Sequence, residues 1–434
     1  MSSSSFRAAP TTITDGLKDW RSRIIANPNF QRWASGSAIT RPIAQRNARA
    51  LFDLTAGFVY SQILAACVKL KIFELLRSRA RDAEAVAAET HIPPAAALRL
   101  LKAAAALKLL KALPGGRFML DDLGAAIVGN PGVAEFVRHH DLLYADLADP
   151  VALLRGEGET RLSRFWAYVE NRPAPDASAE CEPEPALAAE IVPAHTSAVS
   201  RRRRRQADEP AVSAPAPGSE TGPEPAPEAA HVGDDPSIAY SALMSGTQGP
   251  IADAVLDAYP FAKRHKLLDV GGGEGAFAAA AATRLPELAI TLFDLPPVGA
   301  RARQKIEDLG LQRQVEVITG DMLKEPLPTG ADVVTLVRVL HDHDDDEALT
   351  ILKAAREALP QHGDIVIAEP MAGIRGAEPV GDAYFGFYLL AMGRGQPRTP
   401  DAIGALLKKS GFSRPLTLRT PNPFFVSIVT AFRM

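Results

Sequence analysis

The densest polar cluster in the chain follows an apolar run, at Arg338-Val339-Leu340-His341-Asp342-His343-Asp344-Asp345-Asp346. A neutral imidazole can accept a proton from a hydroxyl group near physiological pH, so His341 is a candidate general base. His341 and His343 with the neighbouring aspartates are also possible metal ligands, although no third histidine lies nearby in the sequence. The acids from Asp344 to Glu347 have a simpler interpretation as well, because first-turn carboxylates complement a helix dipole.

A glycine-rich turn lies earlier, at Asp269-Val270-Gly271-Gly272-Gly273-Glu274-Gly275. Glycines in such a turn let the backbone approach a ligand closely at the start of the next helix. Gly271, Gly273 and Ala276 also satisfy the dinucleotide fingerprint. The turn by itself therefore fits a nicotinamide cofactor as well as other nucleotides.

Two more acidic positions follow later apolar runs, at Asp294 and at Gly320-Asp321-Met322. Asp294 is placed to bind a ribose whichever nucleotide is present. The acid directly before the glycines, the extra Gly275 and the third acidic site favour S-adenosylmethionine, which has no pyrophosphate for the loop to bind. We therefore expect S-adenosylmethionine, with a nicotinamide dinucleotide as the alternative.

These motifs can form one site only if the fold brings them to the same edge of a β-sheet. Short apolar runs precede them at Lys266–Val270, Ala289–Phe293, Val315–Thr319, Ala331–Val337 and Asp364–Ala368. Helical segments separate the runs, at Pro297–Leu309 and Asp346–Leu359. Strands that alternate with helices predict an α/β, Rossmann-like doubly wound sheet, in which ligands bind beyond the carboxyl ends of the strands.

The first half of the chain has a different pattern. Leu51–Leu76 and Asp82–Leu110 have helical spacing of apolar residues, broken at Pro93-Pro94, and a short hairpin is predicted over residues 109–120. This order is typical of a winged helix. A DNA-binding version would carry a basic second helix, whereas residues 95–110 are mostly alanine and leucine, so the pattern favours dimerisation.

The length and composition of the chain limit the class of protein and indicate where its domains begin and end. A chain of 434 residues with a formal net charge of only -3 is expected to be a two-domain globular enzyme that does not bind nucleic acid. We predict a flexible N-terminus over 1–40, a helical winged-helix-like dimerisation domain over 41–172, a Pro/Ala/Glu-rich disordered linker over 173–235 and a catalytic domain over 236–434. The linker contains Arg201–Arg205, which either contact an anionic membrane surface or are only solvated.

The chain has two cysteines, Cys67 and Cys181, which cannot form a disulfide framework. The first residues are rich in serine and lack an apolar signal core, and no run of about 18 apolar residues is evident. We therefore expect a cytoplasmic protein that does not span a membrane, with peripheral membrane contact as a possibility for the basic linker.

These motifs resemble those of the plant-type, hydroxyl-directed small-molecule O-methyltransferases and their bacterial relatives, including members that act in carotenoid synthesis. The resemblance covers roughly residues 40–172 and 236–434 and rests on the glycine turn, Phe293-Asp294-Leu295-Pro296, Gly320-Asp321-Met322, Leu340-His341-Asp342 and Arg398-Thr399. It implies a metal-independent homodimer in which His341 is the base, Glu369 orients it, and Asp294, Asp321 and Met322 hold the nucleoside. The predicted donor-binding residues are Asp269, Gly271, Gly273, Gly275, Asp294, Leu295, Asp321, Met322 and Arg338.

Two positions depart from the family pattern. Ala402, beside Asp401, stands where relatives commonly carry a second glutamate that flanks the base, and His343 stands where they often have tryptophan. We expect methyl transfer to the hydroxyl of a lipophilic acyclic carotenoid, with the aromatic segment Asp382–Met392 in the substrate wall. A phenolic or polyketide acceptor, a winged-helix regulator and a nicotinamide-dependent oxidoreductase remain the alternatives.

Overall fold

The computed structural model describes residues 13–165, 248–420, 423 and 426–434. The whole predicted linker (173–235), with Cys181 and Arg201–Arg205, lies in the interval 166–247, outside the described residues, so the predictions made for it are not addressed by the fold. The described residues form a helical N-terminal part and a C-terminal α/β part.

The N-terminal part is mainly helical. Its elements are α1 (Ile13–Ala26), α2 (Pro28–Gly36), α3 (Arg41–Lys69), α4 (Ile72–Leu76), α5 (Ala83–Thr90), α6 (Pro94–Ala106), β1 (Leu110–Ala112), β2 (Phe118–Leu120), α7 (Asp122–Gly129), α8 (Pro131–Asp146), α9 (Pro150–Leu154) and α10 (Arg161–Phe165). The predicted break falls between α5 and α6, where Pro94 occupies the first turn of α6. The predicted hairpin is confirmed, since β1 and β2 pair antiparallel with Leu110 opposite Leu120.

The first helices differ from the prediction. Residues 13–36, which we expected within a flexible N-terminus, form α1 and α2. The local signal was present at Asn27, whose side chain accepts hydrogen bonds from the backbone N–H groups of Asn29 and Phe30, with Pro28 directly after it. An N-cap followed by proline starts a helix even where the apolar pattern is weak.

Helix α3 is the longest of the N-terminal part. Among the described residues it alone is long and apolar enough to cross a membrane by length and composition, which we did not anticipate. Its C-terminal turns bury Ala65, Cys67 and Val68 in the N-terminal core, so this portion belongs to the protein interior. The earlier turns leave Leu54 and Phe58 81% and 70% exposed, which forms an uncovered apolar face.

The C-terminal part is built on a seven-stranded sheet with the order β5-β4-β3-β6-β7-β9-β8. Its strands are β3 (Lys266–Val270), β4 (Ala289–Asp294), β5 (Val315–Thr319), β6 (Val333–Val337), β7 (Asp364–Glu369), β8 (Phe412–Leu418) and β9 (Ser427–Arg433). The first five match the predicted strands and pair in parallel. The antiparallel addition of β9 to β7 and of β8 to β9 was not predicted.

Helices cover both faces of this sheet, as predicted. They are α11 (248–258), α12 (Ala276–Arg284), α13 (Pro296–Asp308), α14 (Asp345–Ala358) and α16 (Pro400–Lys409), whereas α15 (Gly386–Met392) packs against α8, α9 and α10. Alternate strand residues enter two cores: Leu268 and Leu336 pack with α14 and α16, whereas Leu267 and Val333 pack with α11 and α12. Helix α12 follows β3, and the chain then adds β4 on one side of β3 and β6 on the other, so the strand order reverses there. A crevice opens at the carboxyl ends of β3 and β6.

Candidate active site

The glycine turn after β3 has the backbone conformation that only glycine adopts without strain. Gly271, Gly273 and Gly275 have φ values of 69°, 58° and 79°. A Cβ at Gly271 would lie 2.7 Å from Val339 Cγ2, whereas a Cβ at Gly273 would meet nothing within 4 Å. The turn is therefore tightly packed behind Gly271 and open in front of Gly273, where a ligand can approach the backbone.

Asp294, at the end of β4, holds this turn from the neighbouring strand. Its Oδ2 accepts a hydrogen bond from Gly273 N at 2.7 Å, and its Oδ1 accepts one from Leu295 N at 2.7 Å. Two backbone donors fix the carboxylate at the mouth of the turn. Asp294 thus lies at the sheet edge for which a ribose-binding role is predicted.

Asp269 is the acid that precedes the glycines, and its side chain is 1% exposed. Its Oδ1 accepts a hydrogen bond from Thr335 Oγ1 at 2.7 Å, while the buried Oδ2 has no hydrogen-bond partner. Burial raises the pKa of this carboxyl to about 7, against the Thr335 hydrogen bond, and Asp294 raises it further. A buried carboxylate with an open acceptor atom beside a glycine turn is suited to a cationic ligand.

A small cavity lies next to the turn. It brings together the predicted residues Asp294, Leu295, Asp321 and Met322, and it also includes His343. Asp321 is held by its own loop, since its Oδ1 accepts from Leu323 N at 2.9 Å and Lys324 lies 2.9 Å from its Oδ2. Three loops that are far apart in sequence therefore converge on one pocket, as the parallel sheet requires.

His341 lies in a short 3-10 turn (Leu340–Asp342) after β6, and its side chain is buried. Its Nε2 is 3.4 Å from Asp342 Oδ1, and its Nδ1 has no hydrogen-bond partner. Burial, together with Arg338, His343 and Arg398, lowers the pKa of the imidazole to about 3. The ring is therefore neutral throughout the physiological pH range.

Glu369, at the end of β7, was expected to orient the His341 ring. Its Oε2 instead accepts a hydrogen bond from the backbone N–H of His341 at 3.1 Å, and its Oε1 has no hydrogen-bond partner. Burial raises the pKa of this carboxyl to about 7, and Arg398 opposes the shift. Glu369 thus positions the turn through its backbone, and the carboxylate nearest the ring is Asp342, whose role the sequence did not indicate.

The segment 394–398 wraps around the same turn. Gln396 N donates to the carbonyl oxygen of His341 at 2.9 Å, and Gly395 has a φ of 74° where a Cβ would lie 2.2 Å from that oxygen. The buried Arg398 donates to the carbonyl oxygens of Leu340 and His343, each at 2.7 Å. We refer to residues 394–398 as the clamp. Arg398 was part of a recognised motif, but its contact with the catalytic turn could not be derived from spacing.

The two departures from the family pattern lie in different environments. Ala402 and Asp401 are exposed in the first turn of α16, where Thr399 Oγ1 caps the helix by accepting from Ala402 N. His343 is buried and bonds Glu347 Oε2 through Nδ1 at 2.8 Å. Within the described ranges, no group of three or more histidine, cysteine, aspartate or glutamate residues is arranged to hold a metal ion.

A second, larger cavity of about 390 Å³ lies between the N-terminal part and the sheet. Val133 and Phe136 of α8 line one side, and Tyr384 and Phe385, from the π-helical turn before α15, line another. The ring of His341 packs against Phe385, with centroids 5.6 Å apart. Two residues of the predicted substrate wall thus reach the cavity, whereas the contribution of α8 was missed because it arises from the other half of the chain.

Arg338 also lines this second cavity. We predicted it among the donor-binding residues; it does not line the small cavity, but neither do the residues of the glycine turn, so this role stays a prediction. Arg338 directly follows β6, has a φ of 59° and donates its backbone N–H to Ala368 O at 2.8 Å. This left-handed conformation turns the chain away from the strand just before His341.

Two histidine–tyrosine pairs join the halves of the chain beside this cavity. His139 Nε2 is 2.9 Å from Tyr388 Oη, and His140 Nε2 is 2.9 Å from Tyr384 Oη. The two tyrosine rings are stacked with centroids 5.8 Å apart. Helix α8 is thereby fixed against the catalytic part, and this arrangement gives the cavity a defined wall.

Comparison with known proteins identifies the family. A model of the O-methyltransferase domain matches residues 226–413, and a model of the O-methyltransferase dimerisation domain matches residues 52–128. Demethylspheroidene O-methyltransferase of Cereibacter sphaeroides is 36% identical over 420 residues, which are 96% of this chain and 96% of that protein. The chain belongs to the O-methyltransferase family.

Other similar proteins agree with this O-methyltransferase assignment. Demethylspheroidene O-methyltransferase of Rhodobacter capsulatus is 33% identical over 98% of this chain and 92% of that protein. The crystal structure of human N-acetylserotonin methyltransferase in complex with S-adenosylmethionine has a TM-score of 0.66 and 22% identity, over 89% of this chain and 97% of that one. The latter likeness shows the fold alone. The predicted α/β domain with an N-terminal dimerisation domain is confirmed, and the dimerisation domain supports a homodimer.

S-adenosylmethionine is the methyl donor of this O-methyltransferase, and the site fits it. Gly273 leaves open space before the turn, Asp269 Oδ2 is a buried acceptor without a partner, and Asp294 and Asp321 add carboxylates to the same edge. Asp294, and Asp269 when it is ionised, would provide negative charge for a donor that carries a sulfonium and an ammonium group. The regulator and oxidoreductase alternatives are thereby set aside.

Proposed function

We propose that this O-methyltransferase methylates the tertiary hydroxyl of an acyclic hydroxycarotenoid such as demethylspheroidene or hydroxyneurosporene, with His341 as the general base. The observation that carries the proposal is the cavity of about 390 Å³ whose lining residue Phe385 packs on His341, since its mostly apolar lining suits a lipophilic acceptor. The two demethylspheroidene O-methyltransferases similar to this chain over nearly its whole length support the same acceptor class.

The donor site we propose comprises Asp269, Gly271, Gly273, Gly275, Asp294, Leu295, Asp321, Met322 and Arg338. Asp294 and Asp321 would bind the ribose and base, and the open backbone at Gly273 would face the methionine part. When bound, S-adenosylmethionine supplies an activated methyl group. The protein's task is then to hold the acceptor hydroxyl in line and to receive its proton.

The proton acceptor we assign is His341 Nδ1, because this nitrogen has no hydrogen-bond partner whereas Nε2 faces Asp342. Glu369 fixes the backbone of the turn from one side, and the clamp fixes its carbonyl groups from the other. The lowered pKa of about 3 keeps the imidazole neutral but makes it a weak base. Proton removal from a tertiary alcohol must therefore accompany bond formation instead of preceding it.

A phenolic or polyketide acceptor is the second candidate, because other similar proteins include a mitomycin biosynthesis 6-O-methyltransferase of Streptomyces lavendulae. That protein is 34% identical but matches only 40% of this chain, so it supports the alternative over a shorter stretch. The residues described for the cavity fit either class. The two acceptors differ in length and in the acidity of the hydroxyl.

The deciding assay supplies purified enzyme with labelled S-adenosylmethionine and hydroxyneurosporene in detergent or liposomes, beside caffeate and a flavonoid. We expect label in the carotenoid and little in the phenols. Label in the phenols alone would refute the carotenoid acceptor and leave the O-methyltransferase assignment intact. The His341→Ala variant serves as the background for label that is not enzymatic.

A carotenoid resides in the bilayer, so we further propose a cytoplasmic homodimer that contacts the membrane peripherally, with the uncovered face of α3 packed against the partner subunit.

Arg201–Arg205 are the segment we assign to anionic lipid, on sequence grounds alone. Changing all five to glutamine should lower sedimentation with anionic vesicles and leave activity in detergent unchanged, and high salt should mimic the change. Unaltered sedimentation would show that Arg201–Arg205 do not bind anionic lipid.

A further inference from the structure

A groove of about 680 Å³ lies between α1, α2 and the N-terminal turns of α3, far from the glycine turn in sequence. We refer to it as the N-terminal groove. The helices line it with residues four apart, such as Trp20 and Ile24 of α1, and Ala44 and Ala48 of α3. Its lining is mostly apolar, yet Trp20 and Leu51 are 62% and 67% exposed. An apolar groove that is open to solvent marks a binding surface.

The surface around the N-terminal groove is basic. Residues 13–50 contain seven arginines and lysines against two aspartates, which is a net charge of +5, whereas the whole chain carries -3. Arg21 lines the groove, and Lys18 and Arg46 are exposed on the same helices. Among the ion pairs of the described residues, none involves these three side chains. Their charge is therefore available to an anionic ligand.

This surface also carries exposed aromatic and branched apolar residues. Trp20 and Trp33 are two of the chain's three tryptophans, and Trp33 is 59% exposed and packs on Phe30 of the groove. Ile39 and Ile43 are 86% and 56% exposed. Tryptophan has an apolar body and a polar N–H, which suits the boundary between lipid headgroups and acyl chains. Basic residues beside such side chains are typical of helices that lie on a membrane.

A second copy of the chain fits the N-terminal groove less well. The model of the dimerisation domain matches residues 52–128, whereas the groove is lined by residues between 20 and 51. A symmetric contact through the groove would also place two surfaces of net charge +5 against each other, which is unfavourable. An anionic bilayer instead supplies the opposite charge and apolar chains together.

We propose that α1, α2 and the N-terminal turns of α3 dock on an anionic phospholipid bilayer, with an acyl chain in the N-terminal groove. Lys18, Arg21 and Arg46 bind the headgroups, and Trp20 inserts at the level where the acyl chains begin. The inference deepens the peripheral membrane contact proposed above by assigning it to a folded surface. It does not depend on which acceptor is methylated.

The test is sedimentation of the purified full-length enzyme with vesicles of phosphatidylcholine that contain about one-third phosphatidylserine, and with phosphatidylcholine alone. We expect stronger binding to the anionic vesicles. The triple variant K18Q/R21Q/R46Q should bind them about tenfold or more weakly, because each basic residue near an anionic surface contributes about fivefold. High salt should have the same effect on wild type.

The matched control removes the same charge elsewhere. R313Q/K353Q/K409Q changes three exposed residues of the C-terminal part, and it should bind the anionic vesicles like wild type. Equal binding by wild type and K18Q/R21Q/R46Q, or an equal loss in the control, would overturn the proposal.

Tryptophan fluorescence tests the contact with acyl chains. The variant W33F/W166F leaves Trp20 as the only tryptophan of the chain. Its emission should shift to shorter wavelength with the anionic vesicles, and phospholipids with brominated acyl chains should quench it. Emission that the vesicles leave unchanged would overturn the insertion of Trp20. A change from dimer to monomer in Trp20→Asp, measured by sedimentation velocity without vesicles, would also overturn the proposal by assigning the groove to the partner subunit.

The proposed acceptor and this membrane surface can fail separately. Labelled hydroxyneurosporene in detergent, with no binding of the enzyme to anionic vesicles, would refute the membrane surface alone. Vesicle binding that requires Lys18, Arg21 and Arg46, in an enzyme that labels only phenols, would refute the carotenoid acceptor alone.

Discussion

The guanidinium of Arg398 donates a hydrogen bond of 2.7 Å to the backbone carbonyl oxygen of Leu340, the residue before His341. The same guanidinium bonds the carbonyl oxygen of His343 and lies 2.8 Å from Asp345, so one buried cation spans the turn that carries His341. These three contacts hold the backbone on both sides of His341. The clamp therefore couples a distant segment of the chain to the position of His341.

Arg398→Met should destabilise the enzyme and lower turnover. The substitution removes the charged donor, so the buried carbonyl oxygens of Leu340 and His343 lose their hydrogen bonds from it. We therefore expect a decrease of about 2–4 kcal/mol in the free energy of unfolding. Denaturant unfolding measures this decrease, and steady-state assays should show a fall in kcat larger than the change in KM. Arg313→Met, at an exposed arginine, is the matched control and should leave both unchanged. Normal kcat in folded Arg398→Met would contradict the positioning role.

His341→Ala and Asp294→Ala should have opposite effects. Removal of the base should lower kcat by about 10²–10⁴-fold while donor binding remains, because His341 is assigned to the chemical step. Removal of the Asp294 carboxylate, which accepts from Gly273 N and Leu295 N, should instead weaken donor binding. Calorimetry with S-adenosylmethionine distinguishes the two variants, since only Asp294→Ala should bind the donor more weakly. His265→Ala, at a side chain 96% exposed, is the control. Failure of His341→Ala to bind the donor would show that the assignment is wrong.

Donor affinity should rise with pH through the neutral range. Burial raises the pKa of Asp269 to about 7, so below this pH the free enzyme must lose a proton to present a carboxylate to the cationic donor. Between pH 6 and pH 8 the dissociation constant should fall about tenfold and then level off. Asp269→Asn should bind weakly at every pH, with a flat profile by calorimetry. A pH dependence that persists in Asp269→Asn would assign it to another group.

The His139–Tyr388 pair should make stability depend on pH on the acidic side. Burial lowers the pKa of His139 from 6.5 to about 4, and His140 lowers it further. Because the folded state then binds fewer protons than the unfolded state, this contribution is complete above pH 6.5 and is lost as the pH falls toward 4. The stability difference between wild type and His139→Gln, measured as Tm, should therefore narrow between pH 6.5 and pH 4.5. A difference that is constant over this range would exclude the effect.

Local patterns were sufficient for much of the C-terminal half. Lys266–Val270 and Val315–Thr319 are strands with the predicted bounds, and the first is a central strand whose apolar run is buried on both faces. The antiparallel strands β8 and β9 were missed. Phe412–Leu418 contains Pro415 and has one buried residue, Phe412, so it lacks the buried apolar run of the central strands.

The sequence by itself determined the fold class, the family motifs and the order of the acidic loops, because glycine turns, strand ends and helix caps depend on neighbouring residues. Only the tertiary structure decided which groups meet. It placed Arg338 in the second cavity, Glu369 on the backbone of His341, and Arg398 across the catalytic turn. These contacts join residues separated by 28 to 58 positions, or come from the two halves of the chain, as in the cavity wall from α8. Such distances are set by the packing of helices against the sheet, which no local spacing encodes.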